Sequence, residues 1–208
     1  MGRMKRMNKG SVFIISGPSG SGKDTLLKLL FEKHPEIAFS ISSITRDMRE
    51  GEVEGEKYNF VTREAFETMI ANDELLEYNL YVNNYYGTPK APVIAATEAG
   101  RDIIIEVDVN GAANIRKKLP EAVSIFIMPP TFTELERRLT GRGTESKEVI
   151  KQRMDSALGE IKRATEYDYI VVNDNIEVAV DHINSVIQGH RLRLQNQKHI
   201  INEVLEKC

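Results

Sequence analysis

Val12-Phe13-Ile14-Ile15-Ser16-Gly17-Pro18-Ser19-Gly20-Ser21-Gly22-Lys23-Asp24-Thr25-Leu26-Leu27 passes from a β-branched apolar run, through a glycine-rich turn, into leucines at helical spacing. G-x-x-x-x-G-K carries meaning when a strand precedes it and a helix follows, and both are present here. The glycines let the backbone curl until several N–H groups face one concavity. The helix N-terminus adds its partial positive charge, and the two together hold polyphosphate, with Lys23 reaching the outer phosphates. The alternative is a glycine-rich turn joining strand to helix without a ligand. Asp24 stands where the usual pattern has a serine or threonine hydroxyl for magnesium, and Thr25 follows one place late. Asp24 either approaches the ion, directly or through water, or points away as a first-turn acid favoured by the helix dipole.

Working outward, Ile103 to Val107, Val123 to Ile127 and Tyr169 to Val172 repeat the non-alternating, β-branched composition of Val12 to Ile15. Strands buried on both faces of a parallel sheet read this way. Helical patterns separate them, such as Leu26, Leu27, Leu29, Leu30 and Phe31, and later Val178, Val180, Ile183, Val186 and Ile187. The fold expected is α/β, a parallel sheet flanked by helices.

Two segments break the rhythm. From about Ser40 to Pro92 the chain is rich in charge, Gly, Asn and Tyr, with candidate strands at Tyr58 to Val61 and Leu76 to Tyr81, and reads as an inserted subdomain. After Pro129-Pro130, Thr131-x-x-Glu134 has the pattern of a capping box for a helix ending near Gly141 and Gly143, a basic, glycine-hinged segment resembling a mobile lid. The boundaries are residues 1–40, 93–130 and 154–208 for the core, 41–92 for the insert and 131–153 for the lid. The tail from His190 to Cys208 reads as a partly packed terminal helix.

The composition of these 208 residues sets further bounds. The longest apolar runs are too short to span a membrane, and the basic residues among Met1 to Lys9 precede no apolar signal core, so a cytoplasmic protein is expected. The single cysteine, Cys208, and four scattered histidines offer no disulfide or metal cluster. A formal charge of −3 gives no sign of nucleic-acid affinity, although Arg137, Arg138, Arg142, Lys147, Lys151 and Arg153 concentrate charge in the lid.

Glu106 and Asp108 close the Ile103 strand at the carboxyl edge, where open α/β sheets bind ligands. Either could serve magnesium through water or touch the substrate. Alternation could equally send both to one face to meet lysines or helix ends. Asp108-Val109-Asn110-Gly111 imitates the D-x-x-G switch of GTPases, but no N-K-x-D element accompanies it. Arg46, Arg49, Tyr58 and Tyr86 supply donors suited to a phosphate dianion, and arginine's planar fork holds phosphate oxygens two at a time.

Ser42-Ser43-Ile44-Thr45-Arg46-Asp47-Met48-Arg49-Glu50-Gly51-Glu52 closely resembles the signature of guanylate kinases. So do Gly55 to Phe60, Asn84-Tyr85-Tyr86-Gly87-Thr88, Gly141-Arg142-Gly143-Thr144-Glu145 and Val172-Asn173-Asp174, a resemblance spanning roughly residues 11 to 188. It implies a P-loop kinase that moves the γ-phosphate of ATP to GMP, and to dGMP because nothing is dedicated to the ribose 2′-hydroxyl. Magnesium is the implied cofactor. By resemblance Arg46, Arg49, Tyr58 and Tyr86 hold the GMP phosphate, and Ser42, Glu77 and Thr88 face guanine, Glu77 accepting from N1–H and the 2-amino group. A carboxylate so placed rejects adenine by a factor on the order of 10⁴ or more. Arg138, Arg142 and Arg153 are implied at the transferring phosphate with Lys23, and Asn173 near the adenine of ATP. A different class also carries this resemblance: guanylate-kinase-like binding modules of scaffold proteins, which lose the phosphate loop. Gly22, Lys23 and Arg142 are retained here.

Overall fold

The strand that leads into the phosphate loop, β1 (Val12–Ser16), is buried along its whole length. Phe13 and Ile15 face one side of the sheet and Val12 and Ile14 the other. A strand covered on both faces needs apolar residues at every position, which is why alternation is missing from its sequence. In this computed structural model, residues 9–140 and 147–206 are described.

The helix α1 (Lys23–Lys33) follows the loop, then come β2 (Ala38–Phe39), β3 (Ser42–Ile44), β4 (Tyr58–Phe60), α2 (Arg63–Ala71), β5 (Leu75–Tyr81) and β6 (Asn84–Pro89). The chain continues as α3 (Lys90–Glu98), β7 (Ile103–Glu106), α4 (Val109–Lys118), β8 (Val123–Met128), α5 (Phe132–Thr140) and α6 (Lys147–Lys162). A 3-10 turn at Arg163–Glu166, then β9 (Tyr169–Val172), α7 (Ile176–Arg191) and α8 (Leu194–Leu205) complete it. Five parallel strands form the main sheet in the order β2-β7-β1-β8-β9. A second sheet, β4-β3-β6-β5, is built from the inserted residues, with β3 antiparallel to β6 and β6 antiparallel to β5.

The core lies on both faces of the main sheet. Leu26, Leu27 and Leu30 of α1 and Val180, Ile183 and Ile187 of α7 cover one face, and Val93, Ala112 and Ile115 of α3 and α4 cover the other. Each large side chain so buried contributes about 1.5–3 kcal/mol. The α/β architecture is thus the one the apolar runs predict. Caps set the helix starts: Thr62 accepts from Ala65 N, and Asn175 from Glu177 N and Val178 N.

Two expectations need correction. Thr131 does accept from Glu134 N at 3.0 Å, but the Glu134 carboxylate turns to Arg137 and Arg138 instead of completing the box. In β9 only Val171 is buried, because this strand is the sheet's edge and Ile170 and Val172 lack a covering layer. The terminal helix α8 is partly packed, as expected of the tail, with Asn196, Gln197 and His199 half-buried and none of its residues fully buried. No described helix is long and apolar enough to cross a membrane.

Candidate active site

The phosphate loop connects β1 to α1 at the carboxyl edge of the main sheet. Gly22 caps α1 at φ 86°, a left-handed conformation that disfavours side chains, and a Cβ there would stand 2.6 Å from the Asn173 amide nitrogen. Lys23 folds back over the loop, donating to Gly17 O at 2.6 Å and Pro18 O at 3.3 Å. Burial lowers its pKa, and Glu106, Asp24 and Glu160 oppose that shift.

Three side chains from distant parts of the chain fasten on this loop. Arg138 of α5 donates to Ser21 O at 3.3 Å and Asn173 O at 3.0 Å, and Arg153 of α6 donates to Ser19 Oγ at 2.7 Å. Asn173, just beyond β9, donates to Ser21 O at 2.8 Å and is 6% exposed. Its amide nitrogen is committed to the loop backbone, and Asn173 is not among the residues lining the cavity in front of the loop. Arg137, by contrast, is exposed and paired with Glu134. Arg142 lies outside the described residues.

In front of the loop opens a cavity of about 730 Å³. It is lined by Gly17, Ser19, Gly20, Gly22, Lys23, Asp24 and Thr25 of the loop and α1, by Glu106 and Asp108 at the end of β7, and by Arg138. From the insert it takes Ser42, Tyr58, Glu77 and Tyr86, together with Lys57, Asn79 and Tyr81. Residues of the core and of the insert therefore share one space.

Glu77 is almost fully enclosed and accepts 2.7 Å from Thr88 Oγ1, itself buried. Burial pushes the Glu77 carboxyl up to about 7, with Asp108 adding to the shift and Thr88 opposing it. A Cβ on Gly111 would sit 3.1 Å from Glu77 Oε2. The D-x-x-G pattern therefore has a local cause. Asp108 caps α4, accepting from Asn110 N at 2.9 Å and Gly111 N at 2.7 Å, and Gly111 gives room to a carboxylate. The other Asp108 oxygen takes a 3.5 Å contact from Asn79.

Arg46 forms a bidentate pair with Glu52 at 2.6 and 2.5 Å, and Arg49 contributes its backbone N–H to the same carboxylate at 2.8 Å. The pair with Arg46 holds Glu52 far down, at about 2. The guanidinium carbon is 5.4 Å from the Tyr58 ring, and its buried Nε has no protein partner among the described residues. An anionic oxygen pair thus already sits in the fork of Arg46. The Arg49 side chain is exposed and lies outside the cavity lining.

Asp24, for its part, is engaged by Lys57, whose ammonium also meets Glu106 at 3.2 Å. Sequence reading missed Lys57, Glu52, Asn79 and Glu160, single polar residues without a spacing of their own.

A glycine-rich phosphate loop, cationic side chains bearing on it, and a second polar pocket across one cavity define a phosphate-loop nucleotide phosphotransferase. The guanylate kinase family model matches residues 9–190. Similar curated proteins include the guanylate kinases of Oceanobacillus iheyensis, 44% identical with 95% of this chain and 96% of that protein covered, and Neisseria gonorrhoeae, 45% identical with 98% and 99% covered. The crystal structure of guanylate kinase from Anaplasma phagocytophilum overlays with a TM-score of 0.71 at 32% identity, covering 89% of this chain and 88% of that one. The chain belongs to the guanylate kinase family.

Proposed function

We propose that this protein transfers the γ-phosphoryl group of ATP to GMP, and to dGMP, giving ADP and GDP or dGDP. The observation that carries this reading is that Lys23 and Glu77, from the core and from the insert, line one cavity. One is a phosphate-binding cation and the other a buried carboxylate that suits the adjacent N1–H and 2-amino donors of guanine and finds no such pair on adenine.

Phosphoryl transfer spreads charge over equatorial oxygens in a loose transition state, so the protein's part is alignment and cationic stabilisation without a protein nucleophile. Lys23 and the N–H groups of residues 17–25 hold the donor phosphates. Arg46 and Arg49 with the Tyr58 and Tyr86 hydroxyls hold the acceptor phosphate, and Ser42, Glu77 and Thr88 orient the base. Arg138, Arg142 and Arg153 bring positive charge to the group in flight, while residues 131–153 close as a lid and keep water from it. The core of residues 1–40, 93–130 and 154–208 carries the donor site and residues 41–92 the acceptor site.

Magnesium fits the donor chemistry. Asp24, Glu106 and Asp108 present hard oxygens to the cavity, yet no group of three His, Cys, Asp or Glu among the described residues converges as a metal site. That suits an ion that keeps its waters and rides on substrate phosphates. It would neutralise charge developing on the bridging oxygens. The protein works in the cytoplasm, as expected of a reducing compartment.

A coupled ADP-release assay with magnesium-ATP tests the reading, offering GMP, dGMP, AMP, UMP and dTMP to the native chain and to Lys23→Ala and Glu77→Ala. Turnover with GMP and dGMP, lost in Lys23→Ala, supports it. GMP binding without turnover would favour a binding module instead.

A further inference from the structure

Lys57 stands where the insert meets the core. It directly precedes Tyr58 of β4, and its ammonium pairs closely with Asp24 in the first turn of α1 and with Glu106 Oε2 at the end of β7, 3.2 Å away. All four residues line the one cavity. Glu106 is largely enclosed, its side chain 13% exposed, whereas that of Asp24 is 73% exposed. Burial works against the lysine's charge, but Glu106 and Asp24 outweigh it and raise its pKa. The ammonium also lies 5.9 Å from the Tyr58 ring, and the Arg46 guanidinium 5.4 Å from the same ring.

Two features make this more than a surface ion pair. The carboxylate at position 24 departs from the hydroxyl of the usual phosphate-loop pattern, and a lysine of the other subdomain engages it. The insert is seated on the core at its β5 end, where Leu76 is buried among Val12, Ile14, Ile103 and Ile105 and Lys118 Nζ donates to Leu75 O at 3.0 Å, and the Lys57 bridge ties down its β4 end beside the phosphate loop.

We propose that Lys57 is a positioning residue, a latch that holds the acceptor subdomain against the phosphate loop before GMP arrives through its paired contacts with Asp24 and Glu106. The inference rests on the acceptor reading given above. A subdomain already held near its bound position loses less freedom when ligand binds, so affinity for GMP rises with the fraction of molecules latched. The latch acts on GMP binding in the absence of ATP and leaves the chemistry at saturating substrate to other residues.

Calorimetric titration of GMP without ATP, on the full chain and on Lys57→Met, Lys57→Arg, Asp24→Asn and the Asp24→Asn/Lys57→Met double variant, tests this. Lys57→Met should weaken GMP binding roughly tenfold, with kcat at saturating GMP falling by less than about threefold. Lys57→Arg should restore most of the affinity. The double variant should be no worse than Lys57→Met, because two partners of one interaction are not additive. Wild-type affinity in Lys57→Met, a loss confined to kcat, or fully additive effects would overturn the latch. Asp24→Asn keeps the test decisive if Lys57→Met folds poorly, since its exposed side chain can be changed without emptying the core. A native chain that fails to bind GMP at all removes the acceptor reading and the latch with it, whereas native binding with unaltered variants removes the latch alone.

Discussion

Thr88 Oγ1 donates to Glu77 Oε1 at 2.7 Å in a pocket from which water is largely excluded, so the base-reading carboxylate arrives with one oxygen already bound. Its partner cannot offset the cost of burial, and the Glu77 carboxyl is pushed up to about 7. Guanine needs the ionised form, which alone accepts on both oxygens. Affinity for GMP should therefore fall as pH drops from 8 to 6, approaching about tenfold per unit below 7. Calorimetry across this range checks it. Glu77→Gln should bind roughly a hundredfold more weakly and show a flat profile.

The same shift has the opposite sign for folding. A carboxyl raised above its unfolded value binds its proton more tightly in the native state, so stability from this group is present near pH 4.5 and is lost as pH rises through about 7. Urea midpoints of the native chain at pH 5.5 and 8, compared with those of Glu77→Gln, should show a pH-dependent difference that favours the native chain at the lower pH.

Gly111→Ala places a methyl 3.1 Å from Glu77 Oε2 and from Val107 Cβ. The carboxylate must shift by tenths of an ångström, and a misplaced contact is enough to lose affinity. The Michaelis constant for GMP should rise about tenfold while that for ATP stays within twofold, as steady-state kinetics would reveal.

Glu52→Ala removes the carboxylate that holds both terminal nitrogens of Arg46. The guanidinium then keeps only Asp47 O and its contacts with aromatic residues, gains freedom, and must be ordered again on binding, at about 0.5–1.5 kcal/mol for one side chain. Titration should show GMP binding weakened about fivefold.

On the donor side, Gly22→Ala combines a φ of 86° with a Cβ 2.6 Å from the Asn173 amide. ATP affinity should fall more than tenfold while GMP binding without ATP is retained. Arg138→Ala, in contrast, should lower kcat by about 10³-fold, the scale of a lost transition-state arginine, with a smaller change in the ATP Michaelis constant.

What was legible in the chain follows from how each signal is carried. The phosphate loop is contiguous, and Gly17 to Lys23 with an apolar strand before it can be read without any long-range information. The four principal strands of the main sheet announce themselves through burial on both faces, although β9 shows that the same composition also occurs at a half-covered edge. The two-residue β2 and three-residue β3 are too short to set up a period. Glu77, in a strand that reads Leu75-Leu76-Glu77-Tyr78, looks like an ordinary solvent-facing residue until β6 brings Thr88 across to it. Lys57 and Glu52 lie in a charged loop where any of several residues could have found a partner.

The sequence by itself determined the α/β core, the phosphate loop and the family to which the chain belongs, because local hydrogen-bonding geometry and the period of burial act over neighbouring residues. Only the tertiary structure decided that Asp24 is paired with Lys57, that Asn173 bonds the loop backbone at Ser21, and that Gly111 makes room for Glu77. Charge and close contact depend on distances in space between residues far apart in the chain, and those distances exist only after the two sheets have packed.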